Sequence, residues 1–438
     1  MVNTRKKGKL TFIDLFAGAG GLSEGFLSNG FSPLAHIEMN PDACATLKTR
    51  AAYYSLKANG HISSYNDYLS GKITREQMYQ QIPFEELNNT VCCCMGKDNE
   101  QTLISHIKKT NGGISIDVVI GGPPCQAYSL VGRARQGESV VNDPRNFLYE
   151  IYFDFIKALK PKIFVFENVS GLRTAGGGKY LKDIMSKAKE LGYHVTFKTL
   201  NSHDYGVLQN RNRVIILGSK NSTNEKAFWS SMETISMQRK NEFKTFIVND
   251  LLLDLPSLKP GGSANEYKTV PSEYLLKSGI RNDMSTPLTF HLTRSIRPDD
   301  RHIYRIAIRK WLKGKRLLYT DLPDKYQHHK NKTSFLDRFK VVEGNLNASH
   351  TMVAHIAKDG HYFIHPDLKQ ARSLSVREAA RIQSFPDNYY FEGSRTAIFT
   401  QIGNAVPPIL SDAIAKSVKF ALSEEKDIDY GTNSERIL

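Results

Sequence analysis

Leu10-Thr-Phe-Ile-Asp-Leu-Phe16 leads without a break into Ala17-Gly-Ala-Gly-Gly21, and a helical pattern follows. A β-like apolar run, a turn of small residues and then a helix make the opening of a βαβ unit, which predicts a parallel sheet. Working outward, Leu34 to Glu38 reads as a second strand. Ile116 to Ile120 and Lys162 to Phe166 are short β-branched or aromatic runs of the kind buried on both faces. Between the last two, apolar residues at 147, 148, 151, 152, 155, 156 and 159 share one helical face, and Pro161 closes that helix. The first half of the chain is expected to be α/β.

From residue 226 to 370 the texture changes. Pro260-Gly-Gly262 and Lys358-Asp-Gly360 separate irregular segments, and Phe335 to Pro366 reads as short strands around the second of these turns. Ser375-Val-Arg-Glu378 is a capping box that opens a helix, and Ala397 to Leu422 returns to an apolar, helical texture that can complete the first domain. The expected division is therefore a domain of residues 1–225 completed by 371–438, and a second, smaller, mostly irregular or β domain over 226–370.

The 438 residues carry 59 Lys and Arg against 44 Asp and Glu, so a polyanion is the first partner to consider. Residues 226–370 hold 24 basic against 15 acidic residues, nine of the fifteen excess positive charges. Within them Arg297, Arg301, Arg305 and Arg309 recur every four residues behind Pro298-Asp-Asp300. Such a helical stripe could lie along phosphate, or could be a solvated face whose charges suit the helix dipole. No apolar window is long enough to span a bilayer and no apolar segment follows the basic N-terminus, so a soluble protein is expected, and cysteines without paired spacing point to a reducing cytoplasm. The five cysteines lack paired spacing, which signals neither a disulfide framework nor a metal site; Cys92-Cys-Cys94 reads as small hydrophobes in a buried strand.

Three motifs carry chemistry. In the glycine-rich turn the third glycine of a dinucleotide fingerprint would fall at Ser23, while Glu38, 20 residues after Gly18, ends a strand where an acid can accept ribose hydroxyls. Together they imply a nucleoside-bearing cofactor without a diphosphate. Gly121-Gly-Pro-Pro-Cys-Gln126 follows a buried strand, placing Cys125 at the sheet edge where α/β folds bind ligands; held by Pro123 and Pro124, it reads better as a nucleophile than as packing. Glu167-Asn-Val169 ends the next strand at the same edge, as a proton donor or a structural cap. In Gln209-Asn-Arg-Asn-Arg213 the alternating arginines share one face and suit phosphate, a base carbonyl or surface ion pairs.

The order of these pieces, continued by Arg377-Glu-Ala-Ala-Arg-Ile-Gln-Ser-Phe-Pro386 and Gln401-Ile-Gly-Asn-Ala-Val-Pro-Pro408, closely resembles the motif order of DNA cytosine-5 methyltransferases. The resemblance covers roughly residues 10–50, 116–218 and 345–418. It implies a Rossmann-like domain that binds S-adenosyl-L-methionine, a target-recognition domain in the basic stretch, and double-stranded DNA as substrate. By the same resemblance Cys125 adds to cytosine C6 while Glu167 protonates or hydrogen-bonds N3, and Arg211 and Arg213 hold the cytosine O2 and the catalytic loop. Phe16, Gly18, Gly20, Glu38, Pro123, Leu148 and Asn404 would line the cofactor. A monomeric modification enzyme of restriction-modification type is implied, with a cognate restriction endonuclease left open. The chain departs from the family where a Gly-Asp-Ile strand end is expected, since Cys92 to Gly96 contains no acid, and an insertion spans Tyr53 to Phe84.

A zinc-dependent base deaminase would need H-x-E, matched by His36-Ile-Glu38, and P-C-x-x-C, which fails because residue 128 is Tyr. A transfer-RNA methyltransferase of the same fold would share the chemistry, but the long basic stretch favours duplex DNA. A DNA-binding protein with a degenerate core is disfavoured because each catalytic position is intact.

Overall fold

The computed structural model describes residues 9–124, 147–328, 332 and 336–434, with the backbone alone from 425. At its centre lies a sheet of β1 (Thr11–Leu15), β2 (Ser32–Glu38), β3 (Thr90–Cys92), β4 (Val118–Gly121), β5 (Ile163–Val169), β6 (His194–Asn201) and β7 (Asn212–Ser219), in the order β3-β2-β1-β4-β5-β7-β6. The first five strands run parallel, and β7 lies antiparallel between β5 and β6. Strand order reverses between β1 and β4, the switch point outside whose carboxyl ends such sheets bind ligands.

Alternation along the strands builds two cores. Phe12, Val118, Ile120, Ile163 and Val165 face α1 (Gly21–Ser28), α9 (Ser222–Phe243) and α14 (Pro408–Ser434). Ile13, Val119, Phe164 and Phe166 face the other way, toward α6 (Glu100–Thr110), α7 (Leu148–Leu159) and α8 (Lys179–Glu190). The insertion after α2 (Pro41–Ala58) folds as α3 (Ile62–Leu69), α4 (Arg75–Tyr79) and α5 (Phe84–Asn88), packed around Tyr65 and Met78.

The boundary expected at residue 226 falls inside α9, whose Phe228, Trp229 and Met232 pack with α14 against the sheet. Residues 246–280, which include α10 (Glu273–Lys277), share a core with α12 (Val376–Ile382) and α13 (Arg395–Asn404). A separate small core gathers Ile303, Tyr304, Ala307 and Ile308 of α11 (Pro298–Trp311) with Leu317, Phe339 and Ile364. The β component expected over 226–370 is absent among the described residues, which show isolated bridges such as Val341 with Ile364 and a 3-10 turn at Ala354–Ala357. Gly360 does make its turn, at φ +76°. The flank after it, however, bonds to Lys340 and Arg372, and the flank before it is the 3-10 turn, so no two-stranded ladder forms.

The cysteine run also differs from expectation. Val91, Cys93 and Met95 pack inward, whereas Cys92 and Cys94 are exposed, because β3 is a three-residue edge strand covered on one face only.

The Arg377-to-Pro386 motif is a buried ionic staple. Arg381 donates to Asp254 at 2.5 and 3.0 Å and to Asp387 at 2.9 and 2.6 Å, and Arg281 reaches Asp254 at 2.5 Å. Removing one partner strands buried charge. Asp254→Ala is therefore expected to lower stability by about 3–5 kcal/mol, read by denaturant unfolding; a loss near that of an exposed substitution would contradict the staple.

Candidate active site

The carboxyl ends of β1, β2, β4 and β5 and the amino end of β7 meet at one edge, because β7 is antiparallel and Val169 pairs with Arg213 in register. The turn after β1 is shaped by positive φ at Phe16 (61°), Gly18 (54°) and Gly20 (79°). A side chain at Gly20 would strike Leu47 and the Tyr389 hydroxyl at 2.8 and 2.9 Å, so glycine is required there for close packing. At Gly18 the same direction is open. The Glu38 carboxylate accepts the Gly18 amide at 2.8 Å and the Asn40 amide at 2.8 Å, tying β2 to the turn. An open glycine turn beside a carboxylate fits a nucleoside with free hydroxyls.

Across the switch point, the largely buried Glu167 carboxylate pairs with Arg213 Nε at 2.7 Å. Burial raises the Glu167 pKa above the ordinary carboxylate range, with Arg213 and then Arg211 opposing the rise. A Cβ on Gly122 would lie 2.7 Å from Glu167 Oε2, so this glycine leaves room for the acid. Asn168 Nδ2 donates to the Pro123 carbonyl at 3.1 Å, fastening the Pro-Pro turn to the end of β5. Cys125 lies outside the described residues.

Arg211 sits differently from its neighbour. It is fully buried and donates to the carbonyls of Met352, Gly403 at 3.0 Å and Ala405 at 2.9 Å. These bonds engage both terminal nitrogens of the guanidinium in joining the approach to β7 with Met352 and the end of α13. Asn404, exposed at the last position of α13, is held between the two carbonyls Arg211 binds. Leu148 is half-buried at the start of α7 and packs on the core under β4 and β5.

The sequence reading passed over two further groups. Asp14, buried at the end of β1, accepts a 2.5 Å hydrogen bond from Ser23. Burial pushes its pKa up to about 8, with the charges of Glu38 and Glu167 adding to the rise, so it links both halves of the edge electrostatically. Its place directly before the glycine-rich turn was the available signal. The Tyr389 hydroxyl donates to the Ala19 carbonyl at 2.5 Å, and no local pattern marks it. His36, half of the deaminase-like pattern, is buried against Phe12 with ring centroids 5.7 Å apart, and burial holds its pKa down to about 4. It is a core residue.

A parallel sheet with an antiparallel final hairpin strand, a glycine turn after β1 and an acid ending β2 define the class of Rossmann-like, S-adenosylmethionine-dependent methyltransferases. The profile of the C-5 cytosine-specific DNA methylases matches residues 10–71 and 84–420, leaving 72–83 unmatched within the stretch expected as an insertion. The type II methyltransferase M.Bpa9945I of Bacillus paralicheniformis is 42% identical, over 94% of this chain and 99% of its own. M1.HphI of Haemophilus parahaemolyticus is 32% identical over 93% and 86%. A prophage-encoded protein of E. coli, of the DNA modification methyltransferase class, shares the fold with a TM-score of 0.57 at 21% identity, covering 95% and 100% of the two chains. The chain belongs to the C-5 cytosine-specific DNA methylase family and is a DNA (cytosine-5-)-methyltransferase. None of its described helices is long and apolar enough to cross a membrane.

Proposed function

We propose that the protein is the modification methyltransferase of a type II restriction-modification system, acting on a cytosine flipped out of a specific double-stranded DNA sequence through a covalent Cys125–C6 adduct. The observation that carries the reading is the largely buried Glu167–Arg213 pair beside the Pro-Pro turn that precedes Cys125. Cytosine C5 is too weak a nucleophile to accept a methyl group unaided. Addition of the Cys125 thiolate to C6, with Glu167 giving a proton or hydrogen bond to N3, makes C5 enamine-like and splits one hard step in two. Loss of the C5 proton and expulsion of Cys125 then restore the aromatic ring. Arg213 orients Glu167 and offers its outer edge to the base carbonyl, whereas Arg211 acts as a positioning residue. C6 is unreachable inside a duplex, so the base leaves the stack at a cost of a few kcal/mol, offset by contacts in the pocket.

S-adenosyl-L-methionine supplies the methyl group when bound. Phe16, Gly18, Gly20 and Glu38 would hold its nucleoside part, with Pro123, Leu148 and Asn404 bordering the remainder. Glu38→Ala is expected to weaken cofactor binding by about 10- to 100-fold, the loss of one or two hydrogen bonds to a charged group. Calorimetry giving an unchanged affinity would refute the ribose reading.

The whole reading is tested by base-resolution mapping of 5-methylcytosine in DNA from a methylation-free host expressing the protein. One enriched motif is expected. Unmethylated DNA alongside folded protein would overturn it and direct the search to transfer RNA.

A further inference from the structure

We propose that α11 makes a second, sequence-independent contact with duplex DNA, in which Arg297, Arg301, Arg305 and Arg309 track one phosphate backbone away from the reacting base. The proposal rests on the DNA reading above and deepens it by naming the surface.

Residues 297–316 contain eight Lys or Arg and two acids, so this short segment carries six of the fifteen excess positive charges of the chain. Packing does not explain the arginines. The helix is anchored by Ile303, Tyr304, Ala307 and Ile308, all buried, and by a 2.8 Å hydrogen bond between the Tyr304 hydroxyl and His361 Nδ1. Charge pairing does not explain them either. Among the described residues none of the four arginines forms an ion pair, whereas neighbouring Lys310 is committed to Asp321 at 2.6 Å. Arg297 and Arg309 are exposed, Arg301 and Arg305 half-exposed on the flank of the buried face, and Arg301 Nε is enclosed without a hydrogen-bond partner.

Four-residue spacing sets successive arginine Cα atoms about 6 Å apart along the axis, so the stripe is about 18 Å long. Each strand of a duplex carries one negative charge per ~3.4 Å of axis, so about five phosphate charges of one backbone span a stripe of that length. An array of arginines that the protein leaves unneutralised, on a helix fixed in position, complements such a polyanion. Planar guanidiniums suit phosphate in particular, since two N–H groups can meet two oxygens. Solvation of the face by the helix dipole accounts for Arg309 at the carboxyl end but not for Arg297 and Arg301 at the amino end, where positive charge is unfavourable.

The test compares the full-length protein with Arg305→Gln/Arg309→Gln and with a control, Lys108→Gln/Lys109→Gln, on the exposed side of α6. Binding to two duplexes of unrelated sequence is measured over a salt series, with cofactor affinity as the check on folding. Each lost phosphate contact should flatten the slope of log K against log salt by about 0.9, so the stripe variant is expected to lose about 1.8. Its affinity should fall by the same factor on both duplexes, while the control keeps the wild-type slope. A stripe variant with the wild-type slope would overturn the proposal, as would a loss confined to one sequence, which would mean base reading. Wild-type protein that methylates no duplex would instead refute the functional reading, so the two failures are distinguishable.

Discussion

Glu167→Gln is expected to lower kcat by about two to four orders of magnitude, the usual worth of a positioned proton donor, while cofactor affinity stays near the wild-type value. The amide keeps the shape of the acid and can still face Arg213, so the loss isolates the proton. Three features of the site bear on that proton. Burial raises the Glu167 pKa, Arg213 at 2.7 Å pulls it back, and Gly122 leaves the carboxyl room against the Pro-Pro turn. The net direction is upward, so the protonated form survives to higher pH than in an exposed glutamate. The sign for the rate follows: wild-type single-turnover transfer should fall as pH rises through the Glu167 pKa, and the glutamine variant should lose that limb. A variant that transfers methyl groups at the wild-type rate, or keeps the alkaline limb, would take Glu167 out of the reaction.

Whereas the edge strand β6, largely exposed, carries no signal of its own, the central strands β1, β2, β4 and β5 were legible because each is an apolar run ended by glycine, proline or an acid at the edge that binds ligands. Glu38, Glu167 and Pro123 could be placed there because their motifs abut strands directly. Arg211 could not. In sequence it is the twin of Arg213, two residues away on the same face, yet its partners are carbonyls at positions 352, 403 and 405, fixed by chain packing that no local pattern encodes. The arginines of the 377–386 motif pose the same difficulty. Arg381 looks solvent-facing on a helix until Asp254, more than a hundred residues earlier, is folded against it. The cysteine run misled for the opposite reason: its alternation was visible, but thiols count as apolar at every position, so the outward pair at 92 and 94 read as core. Residues 335–366 misled because turn signals predict a turn without saying whether the flanks pair with each other.

Cys125→Ser is expected to abolish methyl transfer while leaving cofactor and DNA binding largely in place. A free thiol, with a pKa near 8.5, reaches the thiolate at modest cost near neutrality, whereas a serine hydroxyl remains protonated unless a base activates it. The seryl oxygen would therefore meet C6 without the electron density that addition requires, even with Glu167 in place. Nucleophile and acid act on one step, since protonation at N3 is what makes C6 electrophilic and addition at C6 is what makes N3 basic. Effects of residues that act as a unit do not add. The double variant Cys125→Ser/Glu167→Gln should accordingly be no slower than Cys125→Ser alone, as measured by incorporation of labelled methyl groups into duplex DNA. Turnover in the serine variant would remove Cys125 from the mechanism. A double variant slower than either single one by the product of their losses would mean that the acid assists a step other than thiolate addition, and Glu167 would have to be reassigned to holding the base.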